Sequence, residues 1–313
     1  AKGGVKGEKI ELVVYDDQAS PKEAVPAATK LVEKDKVVAA IGGSYSGATR
    51  ASASVFQAAQ VPYAVAYAIH PDITKTGDFM FRVSAMGEVQ GRAGAKLVNE
   101  LGKKNVALIN IKNDFGQSLA AGFKEGAAKF GLNIVGEHEY SLQDRQFGAL
   151  VANVKSQNPE VIYASGYFYT AGPLVNQLRA AGVTGQIVTL SNNASGGFVK
   201  ALGSASRGVV VTQVFPSERA VTFPLVREAT ALAQQAKVEL TPAMVDGYTN
   251  AKVLVEGLRR AGPNPTRASL HNALETFKKF DLGGLTLSYT AEDHSGLDFS
   301  DLSIIGPDGY FRR

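Results

Sequence analysis

Residues 41–49 read IGGSYSGAT, a run of glycines and hydroxyl-bearing side chains. It follows KVVAA, which reads as a buried strand, and precedes RASASVFQAA, which reads as a helix. Small residues let the backbone turn at such a junction. The same loop leaves N–H groups and hydroxyls aimed at an anion, with the positive end of the helix dipole behind them. Serine and threonine also cap helices in any protein, so capping is the competing use of these residues.

Other chemistry is sparse. The chain has no cysteine, which removes disulfides, thiolate metal sites and cysteine nucleophiles. Its four histidines, His70, His138, His271 and His294, show no metal-ligand spacing, so no metal is expected. There is no GxGxxG after a strand, no Walker loop and no GxSxG elbow, and GSYSG has the wrong spacing for the last. An enzyme is therefore not expected. The net charge of +4 is spread thinly, without the basic block of a nucleic-acid binder. No apolar run approaches the length of a membrane span, and no signal-peptide pattern is present, which leaves the compartment open.

The elements that must position these residues alternate. Strand patterns at KIELVVYDD, KVVAAIGG, VPYAVAYA and FMFRVSA are interleaved with helical ones at residues 20–35 and 48–60. In the first helix Ser20 is a candidate N-cap, Pro21 fits the first helical position and Glu23 completes a capping box. A second series runs from residue 88 to 215, with strands at NVALINI, LNIVGEHEY, PEVIYASGY, QIVTLS and GVVVTQVF. Repeated βα units with apolar strands imply α/β architecture, in which parallel sheets are covered by helices on both faces. After Pro216 three helical patterns come close together, and the end reads as β-structure with a turn at Pro307-Asp308-Gly309. The chain thus holds two βα series with a late return to the first.

In order along the chain, AKGGVKGEKIELVVYDDQASPKEAVPAATKLV, VVAAIGGSYSGAT, VPYAVAYAIHPDIT, FMFRVSA, VALINIKNDFGQSLAAGFK, PEVIYASGYFYTAGPLVNQLRAAG and GYTNAKVLVEGLRRAG are similar to segments of one family. The whole chain resembles the leucine/isoleucine/valine class of type I periplasmic solute-binding proteins of ABC importers. The resemblance implies two doubly wound parallel-sheet lobes joined by three crossings, with the ligand in the cleft between them. Lobe one would take residues 1–86 and 216–297, and lobe two 87–215 and 298–313. The resemblance also implies a further strand and helix before AKGG, roughly thirty residues of typical elements. The expectation is that the sequence is a shortened version of a longer chain.

Further implications follow from the resemblance. The protein is expected to be periplasmic or lipid-anchored outside the cytoplasm, to bind a small amino acid or related carboxylate, and to partner an ABC permease in the inner membrane. No cofactor, catalytic residue or nucleic-acid partner is implied. Ser46 occupies the position whose hydroxyl and backbone hold the ligand carboxylate, and Thr49 lies one turn on. Tyr67 sits where the family offers a backbone group, and Ile69 stands where it offers a threonine hydroxyl. Phe115 and Tyr167 match aromatics that cover the ligand, with Tyr45 as a further wall. At the amine site the family uses an acidic residue; here Ser191 stands there, followed by Asn192 and Asn193. Asp246 is a candidate substitute, with a solvent-facing helix position as the alternative, and the reading of Asp114 is that it shapes the turn before Phe115. A hydrophobic or branched-chain amino acid is the leading ligand. An aromatic or other organic carboxylate, an amide, or a sensing role on the same fold are the alternatives.

Overall fold

The computed structural model describes residues 4–312. The chain runs through α1 (Pro21–Thr29), β1 (Ala40–Gly42), α2 (Ser46–Ala58), β2 (Tyr63–Val65) and β3 (Met80–Arg82). It continues through α3 (Gly87–Glu100), β4 (Asn105–Ile111), α4 (Asp114–Phe130), β5 (Asn133–Tyr140), α5 (Gly148–Gln157), β6 (Val161–Ala164) and α6 (Phe168–Ala180). Next come β7 (Gln186–Thr189), α7 (Gly196–Leu202), β8 (Val210–Gln213), α8 (Pro224–Gln235), α9 (Pro242–Ala261) and α10 (Arg267–Glu275). The last strands are β9 (Phe280–Asp281), β10 (Thr286–Leu287), β11 (Asp301–Ile305) and β12 (Phe311–Arg312). Two compact units result: the chain through Met86 with Ala220–Asp298, and Gly87–Arg219 with the chain from Phe299 onward.

In the first unit β1, β2 and β3 form a parallel sheet in that order. Phe56, Val61, Tyr63, Val65, Ile73 and Met80 pack its core. Arg267 is one of the side chains that pin the late return of the chain. The Arg267 guanidinium at the start of α10 donates to the carbonyls of Val37 at 3.0 Å, Ala59 at 3.1 Å and Val32 at 3.3 Å. In the second unit the sheet order is β12-β11-β8-β7-β6-β4-β5. Strands β4 to β8 are parallel and β11 and β12 antiparallel, with the β11–β12 turn at Pro307–Gly309 as the sequence predicts. No helix among the described residues is long and apolar enough to cross a membrane.

Two local expectations are corrected. KIELVVYDD is not a strand: β1 is an edge strand paired with β2 alone, and residues 9–16 join no sheet. A cavity of about 510 Å³, lined by Ile10, Leu12 and Val13 and by Val38, Ala40 and Ile41, separates the segment from that edge. An apolar, β-branched run becomes a strand only where a neighbour accepts its ladder bonds. The capping box at Ser20 also does not form, since its side chain makes no capping bond; Pro21 at the first helical position needs none for its own nitrogen. A capping box does form at Thr266 and Ser269, ahead of α10.

Candidate functional site

In the first unit the candidate residues lie in the loops that follow β1 and β2, at the carboxyl ends of parallel strands, where sheets of this kind bind ligands. The loop after β1 needs glycine. Gly43 has φ +83°, and a Cβ there would stand 2.6 Å from Thr49 Oγ1 and 2.7 Å from the Tyr63 hydroxyl. This tight turn delivers Tyr45 as the N-cap of α2 and Ser46 as its first residue. Capping is therefore not what Ser46 does. Its buried hydroxyl oxygen accepts the N–H of Ile69 at 3.3 Å, which leaves its own proton to donate. Thr49 uses its hydroxyl internally, donating to the Tyr45 carbonyl at 2.8 Å. The first N–H groups of any helix lack partners within it, and α2 has no acidic residue in its first turn to occupy that end.

Tyr67 is held in an unusual conformation. Its φ is +69°, and the Ala68 N–H returns to the Ala66 carbonyl at 2.8 Å, a tight three-residue turn of the strained hand. The same N–H reaches the Gly43 carbonyl at 2.9 Å, and Ala66 N–H reaches that of Gly42 at 2.7 Å, so the two loops are stitched together. A bulky residue at positive φ costs on the order of 1–3 kcal/mol, and such strain concentrates at functional sites. Burial, and secondarily the charge of Asp246, push the Tyr67 phenol well above its ordinary range. Asp246 does not face water: it is 1% exposed on α9. Its Oδ1 accepts Asn250 Nδ2 at 2.6 Å, while Oδ2 is buried without a hydrogen-bond donor among the described residues. Burial pushes its carboxyl up to about 7, against the lowering effect of Asn250.

In the second unit Asn113 caps α4, accepting the Gly116 N–H at 3.0 Å, and its amide donates to the Tyr167 hydroxyl at 3.4 Å. Asp114 lies in the first turn of α4, where a carboxylate suits the helix dipole. Phe115 and Tyr167 stack with ring centroids 5.0 Å apart and planes 20° apart. Tyr167 stacks in turn on Tyr169 at 5.6 Å. The loop before Tyr167 is locked from beneath. Asn192 and Asn193 each donate to the Gly166 carbonyl, at 2.9 and 3.0 Å. A Cβ at Gly166 would meet the Tyr140 hydroxyl at 1.8 Å. Ser191 donates to Gln90 Oε1 at 3.1 Å, and Thr212 donates to the same oxygen at 3.1 Å.

A family model described as periplasmic binding protein matches residues 1–298. The chain belongs to the periplasmic binding protein family. Members of this family are solute-binding proteins, not enzymes. It is 30% identical over 215 residues to the Leu/Ile/Val-binding protein of Escherichia coli, an alignment covering 68% of this chain and 58% of that protein. The chain spans about half to three-fifths of the length of the relatives it matches. Two solved structures share the fold. The branched-chain amino acid transporter substrate-binding protein LivJ of Streptococcus pneumoniae, in complex with isoleucine, has a TM-score of 0.88 and 23% identity, over 100% of this chain and 88% of that one. A solute-binding protein of R. palustris in complex with benzoate has a TM-score of 0.88 and 21% identity, over 99% and 86%.

For this periplasmic binding protein, sequence reasoning missed Gln90, Asn113 and Asn250. Gln90 falls in the stripe of Gly94 and Leu97 on α3, and Asn250 lies four residues after Asp246 on α9, so helical spacing held a signal for both. It also missed that His271 Nε2 and His294 Nε2, distant in sequence, face Glu275 Oε1 at 3.9 and 3.6 Å. Among the described residues no group of three histidine or acidic side chains gathers to hold a metal ion.

Proposed function

We propose that the protein is the extracytoplasmic solute-binding component of an ABC importer and takes a hydrophobic or branched-chain amino acid. The observation that carries this reading is the Ser46 hydroxyl, braced by the Ile69 N–H at the start of α2 with its proton free for a carboxylate. A short donor at a helix N-terminus suits an anion. The names of the relatives, amino acid and Leu/Ile/Val binding, support the amino-acid class. In this reading Ser46 and the backbone at Tyr67 hold the carboxylate end in the first unit, with Tyr45 as a wall of that loop; in the second unit the stacked Phe115 and Tyr167 offer an aromatic face suited to an apolar side chain. Thr49, Ile69, Ser191 and Asn192 shape the loops. The partner is an ABC permease of the inner membrane, and the compartment is the periplasm or the outer face of a membrane.

The test is calorimetric titration of the protein, purified without denaturation and dialysed, with leucine, isoleucine, valine and phenylalanine. Saturable binding by at least one is expected; binding by none overturns the amino-acid reading. A second reading, an organic carboxylate such as an aromatic acid, is favoured by one observation. Where the family's amine-binding acid is expected, Ser191 bonds a neutral amide instead. Benzoate in the same titration separates the two. Loss of solute uptake in a strain lacking this protein would favour transport over sensing.

A further inference from the structure

We propose that Asp246 is the residue that recognises the ammonium group of the ligand, through Oδ2. The inference rests on the amino-acid reading above and adds to it the source of the cation site, on α9 of the first unit rather than in the loop after β7. Three observations carry it. Asp246 is 1% exposed, and Asn250 fixes the carboxyl by taking Oδ1 at 2.6 Å. That bond orients Oδ2, which has no donor among the described residues. A buried carboxylate oxygen without a partner is costly, and a bound cation relieves that cost directly.

The second observation is the company it keeps. Tyr67, in the strained turn beside the Ser46 loop, is close enough for the Asp246 charge to raise its phenol. Tyr67, in the loop after β2, is a titratable group that senses the Asp246 charge, and it stays neutral. On α9 itself the neighbour is the uncharged Asn250 amide. The proton affinity of Asp246 is set by burial and by Asn250, with no basic side chain contributing. Among the described residues no cation pairs with this carboxyl. The third observation is that Ser191 gives no charge, its hydroxyl being spent on Gln90 Oε1.

A proton occupies the carboxyl when the site is empty, because burial lifts Asp246 to about 7. The ammonium then replaces it: Asp246–COOH and R–NH₃⁺ give the Asp246 carboxylate paired with R–NH₃⁺, and one proton leaves to solvent. Binding of an amino acid therefore strengthens as pH rises to about 7 and levels off above it. A des-amino analogue, which carries the carboxylate alone, gains nothing from this pairing.

The experiment uses calorimetry on the whole chain with leucine and phenylalanine, each beside its des-amino analogue, 4-methylpentanoate and 3-phenylpropanoate. Titrations at pH 6 and pH 8.5 in buffers of different ionisation enthalpy count the protons released. The expected result is release of about one proton at pH 6 and almost none at pH 8.5. Asp246→Asn, which keeps an acceptor for Asn250, should lose at least tenfold in amino-acid affinity, keep or gain affinity for the des-amino acid, and release no proton. Amino-acid binding without proton release by the wild-type protein overturns the proposal and leaves the amino-acid reading intact; this measurement stands even if the variant does not fold. Equal amino-acid affinity in Asp246→Asn has the same consequence. Wild-type protein that takes a des-amino acid and neither amino acid overturns Asp246 and favours the carboxylate reading. Binding of none of these probes removes both.

Discussion

The backbone N–H of Ile69 donates to the hydroxyl oxygen of Ser46 at 3.3 Å, joining the loop after β2 to the first residue of α2. The bond decides what Ser46 can do. With a lone pair occupied and the side chain 1% exposed, the hydroxyl is held in place and turned into a donor. The relationship also gives Ile69 a role that its side chain does not suggest: the apolar group is buried, and the backbone does the polar work.

Ser46→Ala should weaken ligand binding by about 1.5–3 kcal/mol, the usual worth of a hydrogen bond to a charged group, or roughly tenfold or more in Kd. It should also lower stability by about 1 kcal/mol, because the Ile69 N–H loses its acceptor. Calorimetry and urea unfolding read the two effects separately. Unchanged affinity would remove Ser46 from the carboxylate site.

Gly43→Ala should destabilise the first unit by about 2–4 kcal/mol. The position has φ +83°, and the added methyl would meet Thr49 Oγ1 at 2.6 Å, so strain and collision act together. Thermal unfolding measures the loss. A melting temperature equal to the wild type would mean that the loop can open without cost.

Asp246 predicts a pH dependence of the empty protein. Its folded value is raised to about 7 from the model-compound value of 3.8, so the folded state holds a proton that the unfolded state has released. That stabilisation is complete below the unfolded value and is lost as pH rises through about 7, where it levels off. Asp246→Asn should therefore gain on the wild type by about 1.4 kcal/mol per pH unit between pH 5 and 7, and by little more above that. Urea unfolding of both proteins across this range checks the sign; a difference independent of pH would refute it.

Replacing Leu12 and Val14 together by lysine should leave stability within about 0.5 kcal/mol per site and slow aggregation on heating. The two side chains are 75% and 83% exposed in a segment that joins no sheet, beside the unpaired edge of β1. Light scattering during a thermal ramp is the measurement. Faster aggregation, or a large loss of stability, would show that these residues are buried in solution.

Much of this molecule is legible in its sequence because the information is local. The glycines of IGGSYSGAT announce a turn between strand and helix, and the turn is there with Gly43 at positive φ. The βα alternation of residues 88–215 likewise becomes the parallel strands β4 to β8. What escapes depends on partners far away in the chain. KIELVVYDD has the composition of a strand but no neighbour to pair with. Asp246 looks like a surface residue until its spacing with Asn250 and Val253 is seen to lie on the buried face of α9. Ser191 reads as a vacancy in charge, and only the fold shows that Gln90, a hundred and one positions earlier, accepts its hydrogen bond.

Gln90 leaves the charge behind the Ser191 loop open to easy change. Its Oε1 already receives two hydroxyl donors, from Ser191 and Thr212, a setting that would welcome a carboxylate oxygen as readily as an amide one. Glutamate has the same shape as glutamine and differs by one heavy atom, and a single first-base codon change converts one into the other. The second unit therefore stands one mutational step from a negative charge beside Ser191. A lineage carrying this fold can thus change the charge behind this loop without rebuilding it, which makes the electrostatics of the second unit cheap to revise over evolutionary time.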